Sequence, residues 1–93
     1  MIDERLLKRW KITRTLLSEA AKQLSAADGF ALYEEYIEHN ELELALSTLE
    51  DLAKHTPVDS AFWRNLKRAA DVMGLRERSM AFRQQARARR NAS

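Results

Sequence analysis

Residues 40–53, NELELALSTLEDLA, decide the fold. Leu42, Ala45, Leu46, Leu49, Leu52 and Ala53 recur at the three- and four-residue spacing that gathers side chains on one helical face. Glu43, Ser47, Glu50 and Asp51 fall outside that face, with Glu41 and Leu44 at its margins. Asn40 stands at the N-cap position, and Glu43 three residues later completes the pattern of a capping box.

The same reading extends in both directions. Upstream, Ser25, Asp28 and Gly29 mark a break. Between that break and Asn40 a helix is expected over about Gly29 to His39, with Phe30, Tyr33, Ile37 and Tyr36 facing inward. A longer helix is expected from Asp3, its N-cap, to Leu24. Its stripe is Leu6, Trp10, Thr13, Leu17, Ala20 and Leu24, widened by Ile2, Ile12 and Leu16. Downstream, Thr56-Pro57-Val58-Asp59 reads as a helix start, with Thr56 as N-cap and Pro57 in the first helical position. Phe62, Leu66, Ala69, Ala70 and Met73 supply the packing face of that helix. Gly74 ends it in a left-handed cap with Leu75 as the capping contact. A fifth helix is expected from about Arg76 to Arg87 on Leu75, Ser79, Phe82 and Ala86, with Arg89, Arg90 and the last residues fraying.

No alternating strand pattern competes with these helices. With 93 residues, two glycines and one proline, the chain is expected to form an all-α, single compact bundle of about five helices spanning residues 1–93 as one domain. There is no cysteine, which excludes disulfide and thiol chemistry and zinc sites built on Cys. No signal-peptide core and no apolar run of membrane-spanning length occurs, so a cytoplasmic protein is expected.

Enzymatic signatures are missing as well. His39 and His55 each fall in the last turn of a helix, where a solvated imidazole suits the helix dipole. Neither belongs to an H-E-x-x-H or E-x-x-H pair. No serine sits in a G-x-S-x-G elbow, and no glycine-rich loop precedes a helix. The expectation is a non-enzyme with no cofactor, no metal and no small-molecule substrate.

Charge carries most of the functional information. Residues 1–25 hold a net +3, residues 26–55 a net −7 and residues 56–93 a net +6, within an overall +2. The acidic block can draw in a basic partner and speed the encounter. Its candidate partner-binding residues are Glu34, Glu38, Glu43, Glu50 and Asp51, with Tyr33 and Tyr36 at the edge of the acidic stripe. Arg76, Arg78, Arg83, Arg87, Arg89 and Arg90 could instead meet phosphates, but the neighbouring acids argue against specific nucleic-acid binding. Trp63, beside Phe62, is read as a helix–helix contact ahead of a partner anchor.

A family resemblance rests on Tyr36-Ile37-Glu38-His39-Asn40-Glu41-Leu42-Glu43-Leu44-Ala45-Leu46 with Leu49-Glu50, then Phe62-Trp63, Leu66, Ala69-Ala70, Met73 and Leu75. This pattern, over about residues 30–75, resembles small helical immunity proteins of bacterial contact-dependent growth inhibition and related polymorphic toxin systems, including those facing EndoU-type RNase toxins. The resemblance implies a protein that binds and neutralises a toxin whose RNA-binding cleft is basic. Two other functions fit the residues: a small helical nucleic-acid-binding regulator using the arginine-rich helix, and a homodimeric adaptor joined through its helices.

Overall fold

The computed structural model describes residues 3–91, and the side chains of residues 3–89. It is an all-α bundle of five helices: α1 (Glu4–Ala21), α2 (Phe30–Glu38), α3 (Leu42–Leu52), α4 (Ser60–Met73) and α5 (Arg76–Asn91). A 3-10 turn, Lys22–Leu24, finishes α1. Helices α2 and α3 form one hairpin, α4 and α5 another, and α1 packs against both α3 and α4. The result is an elongated slab, 47 × 26 × 18 Å. It leaves 6500 Å² accessible, more than the about 5,500 Å² expected of a compact monomer this size.

The core follows the stripes. Leu17, Ala20 and Leu24 meet Leu46 and Leu49 of α3 and Phe62, Leu66, Ala69 and Ala70 of α4 in one buried cluster. Phe82 and Ala86 bring α5 into it. The slab shape leaves part of the expected α1 stripe outside: Leu6 and Ile12 are exposed, and Trp10 and Leu16 are only half-buried. Ile2 lies outside the described residues.

Trp63 departs from the simple helical wheel. It is buried together with Phe62, ring centroids 5.0 Å apart and edge to face, and lies 6.1 Å from the Phe82 ring. Neighbouring positions on α4 both reach apolar surroundings because α1 covers one side of the helix and α5 the other. The indole N–H of Trp63 has no hydrogen-bond partner among the described residues.

The helix ends correct three expectations. Asn40 does not cap α3. It adopts φ 57 and terminates α2: its own N–H donates to the Ile37 carbonyl and the Glu41 N–H to the Tyr36 carbonyl. That is the Schellman arrangement, in which asparagine tolerates the left-handed conformation better than most residues. Glu41 then stands at the N-cap of α3 with no side-chain capping bond, so no capping box forms.

Thr56 and Pro57 precede α4 without starting it. Asp59 is the N-cap, its carboxylate accepting from the Phe62 N–H at 3.1 Å. Gln23 holds Asp59 there from the end of α1, accepting from its backbone N–H at 3.0 Å and donating to its carboxylate at 2.7 Å. At the other end of α4, Gly74 does adopt the left-handed cap, φ 75, with the Leu75 N–H donating to the Ala70 carbonyl at 2.8 Å. The fifth helix does not stop at Arg87. It continues through Arg89 and Arg90 to Asn91, and the last two residues lie outside the described part.

Candidate functional site

Helix α2 carries its acids outward because Tyr33, Ile37 and Phe30 turn inward to the core, with α2 paired to α3. Glu34, Glu35 and Glu38 are exposed on α2, as are Glu41 and Glu43 where α3 begins. None of these five makes an ion pair with a described side chain. Glu34 and Glu38, one helical turn apart, share a wall of a groove of about 770 Å³ between α1 and α2. Arg14 and Ser18 of α1, with Lys22 of the 3-10 turn, form the facing wall, and Phe30 and Ile37 line the same groove. It therefore combines an acidic lip with half-buried apolar surface.

Arg14 sets the geometry of that groove. Its guanidinium donates to the Ile37 carbonyl at 2.8 Å and to the Asn40 side-chain oxygen at 3.4 Å. A cation at a helix C-terminus is favourable for the helix dipole, so α1 holds the end of α2 electrostatically. Tyr33 lies beneath, 5% exposed, with its ring 5.3 Å from that of Phe30. Burial pushes its hydroxyl pKa up to about 12, the charge of Arg14 pulling it back and that of Glu34 adding to the rise. Tyr33 is thus mostly a core residue, with what little surface it keeps lining the same groove. Tyr36 remains half-buried, packed against the core.

The remaining acidic candidates do not join Glu34 and Glu38. Glu43 lines a separate groove of about 330 Å³ with Leu6, Trp10 and Met73. Asp51 is exposed and pairs locally with Lys54 at 3.1 Å. Glu50 is the clearest correction. Its carboxylate accepts from Arg78 of α5 at 2.9 Å, and both side chains are about two-thirds covered. Arg78 also sits 5.6 Å from the Phe82 ring centroid, within cation–π range. Glu50 is a strut between α3 and α5, and its charge is already matched.

Two residues with interface character were not singled out by periodicity. Leu32 on α2 and Leu44 on α3 stand exposed among the acids, 45% and 48% accessible. Leu44 already fell at the margin of the α3 stripe. Leu32 is hidden in the sequence by the apolar neighbours Phe30, Ala31 and Tyr33. His39 and His55 are both exposed, and no group of three His, Asp or Glu among the described residues could hold a metal ion. No described helix is long and apolar enough to cross a membrane. Set against known proteins, the chain matches no protein family, no curated sequence and no solved structure.

Proposed function

We propose that this chain is a non-enzymatic inhibitor of the immunity type, binding a protein toxin through the acidic α2–α3 hairpin and acting in the cytoplasm. One observation carries the reading: Glu34 and Glu38, with no ion-pair partner among the described side chains, rim a groove lined by Phe30 and Ile37. Acids held in no close ion pair remain open to a partner's cations, although Arg14 and Lys22 face them across the groove. Apolar surface beside them supplies the desolvated contacts that dominate binding energy. Leu32 and Leu44 extend that apolar surface.

The partner is a domain whose own task demands a basic cleft, an RNase of the EndoU type being the case the family resemblance implies. Covering such a cleft excludes RNA with no chemistry on the inhibitor's side. Protection of the producing cell needs affinity on the order of nM, about −12 kcal/mol. Charge contributes mainly to association rate and partner choice.

The test is a Glu34→Lys/Glu38→Lys variant, co-expressed with a toxin domain of the RNase kind the resemblance implies and compared with the unaltered protein for growth protection and association rate. The variant is expected to fold normally, since exposed unpaired acids contribute little to stability. Its association should slow by about tenfold or more at low salt, with the difference shrinking as salt rises. Unchanged association and full protection would move the binding face off α2.

A further inference from the structure

The two helices of the C-terminal hairpin enclose a second groove with the opposite charge. Arg64, Lys67 and Arg68 of α4 face Arg83, Ala86 and Arg87 of α5 around a space of about 320 Å³. Ala86, a small residue that is itself buried, lines it between the cations. Lys67 is held by Asp71 at 2.7 Å, one turn along α4. The four arginines have no ion-pair partner among the described side chains. Arg64 with Arg68, and Arg83 with Arg87, are each four residues apart and lie on one helical face. Like charges at that spacing repel, and here two such pairs confront each other across an antiparallel hairpin.

We infer that the α4–α5 groove is a binding site for an anion bearing terminal phosphates. Three features select that chemistry. First, the space is small while the cationic charge around it is large, so the ligand must concentrate negative charge. A terminal phosphate carries about −1.5 to −2 at neutral pH, against −1 for a carboxylate. Second, four of the five cations are arginines, whose planar forks hold phosphate oxygens in bidentate fashion. Third, no aromatic side chain lines the groove, so nothing there stacks on a base, and recognition reads charge and not sequence. A free oligophosphate and the phosphorylated end of an RNA present the same group. The site shares no residue with the α1–α2 groove, so it stands or falls independently of toxin binding.

Calorimetric titration at about 0.15 M salt, where exposed charges are largely screened, tests this. The probes are inorganic tripolyphosphate, one RNA oligonucleotide with a 5′-phosphate or a 5′-hydroxyl, and an oligoglutamate peptide. Tripolyphosphate should saturate the protein with a Kd of about 100 μM or tighter. R68Q/R87Q and R64Q/R83Q should each weaken it by about tenfold or more, with circular dichroism confirming their fold. R5Q/K11Q, which removes the same charge from α1, should keep the affinity, as should the Glu34→Lys/Glu38→Lys variant. Tighter binding of the 5′-phosphate RNA than of tripolyphosphate, lost with the 5′-hydroxyl form, would identify an RNA end as the source. Preference for tripolyphosphate would identify a free oligophosphate. The inference is overturned by absence of saturation up to about 1 mM, or by equal loss in the α1 control. Oligoglutamate binding as tightly as tripolyphosphate also overturns it and points to an acidic protein segment instead.

Discussion

Replacing Glu50 by lysine should unfold this protein more readily, while the same replacement at Glu38 should not. The Glu50 carboxylate and Arg78 guanidinium are 2.9 Å apart at closest approach, with side chains 36% and 27% exposed. Charges about 4 Å apart interact with about 4 kcal/mol at an effective dielectric of 20 and about 1 kcal/mol in bulk water. Partial exposure and the entropy of fixing two long side chains bring the net value toward about 1 kcal/mol. Glu50→Lys removes that attraction and substitutes a repulsion of similar size, for a total loss of about 2 kcal/mol. Glu38→Lys touches no ion pair and should stay within about 0.5 kcal/mol. In a domain of this size 1 kcal/mol corresponds to about 4–8 °C in Tm. Urea unfolding followed by circular dichroism measures both variants. A double-mutant cycle through Glu50→Ala and Arg78→Ala isolates the coupling. Coupling below about 0.3 kcal/mol, or equal stabilities for the two lysine variants, would refute the strut between α3 and α5.

Other perturbations follow from the same structure. Leu49→Ala, at a fully buried site, should cost about 2–5 kcal/mol in urea unfolding. Asp59→Ala removes the N-cap of α4 and its clasp on Gln23 and should lower stability by about 1 kcal/mol, whereas Thr56→Ala should stay within about 0.5 kcal/mol; thermal melts compare the two. Tyr33 should ionise near pH 12 in a spectrophotometric titration of the folded protein. Because its folded pKa lies above the ordinary tyrosine value of 10.0, its neutral form's contribution to stability is complete below pH 10 and is lost as pH rises toward 12. At the acid end, Asp59 is held low by Gln23 and the Phe62 N–H, and Asp71 by Lys67 and Ser79. Their contribution is present above the unfolded carboxylate range near 3.8 and is lost as pH falls through the lowered folded values, so Asp71→Asn should flatten the acid limb of a stability–pH curve.

The helices were legible because their apolar residues repeat at helical spacing: Leu42, Leu46 and Leu49 needed nothing beyond the pattern. Caps were less so. Asn40 and Thr56 have the right side chains for N-caps, but Asn40 is used to end α2. The position of Thr56 was overruled by Asp59, which gains a distant partner in Gln23. Such long-range hydrogen bonds leave no trace in local spacing. The same limit applies to charge. The acidic block was visible as composition, yet only packing separates Glu34 and Glu38, open to a partner, from Glu50, matched by an arginine 28 positions away. Trp63 shows a third limit, since its burial depends on having helices on two sides of α4, which a single-helix wheel cannot represent. The α4–α5 groove needed both helices in register before scattered arginines became one cluster.

Helix α2 is anchored far more lightly than its neighbours. It contributes one buried residue, Tyr33, where α4 contributes five. Beyond its own Schellman cap, the side-chain hydrogen bond that ties its last turn to α1 comes from Arg14. Segments with few buried contacts open by local unfolding at free energies below that of the whole domain. Amide hydrogens of α2 should therefore exchange with solvent well before those of α4. The acids of α2 thus ride on the element most easily loosened, and an occupant of the α1–α2 groove would slow that exchange by ordering it.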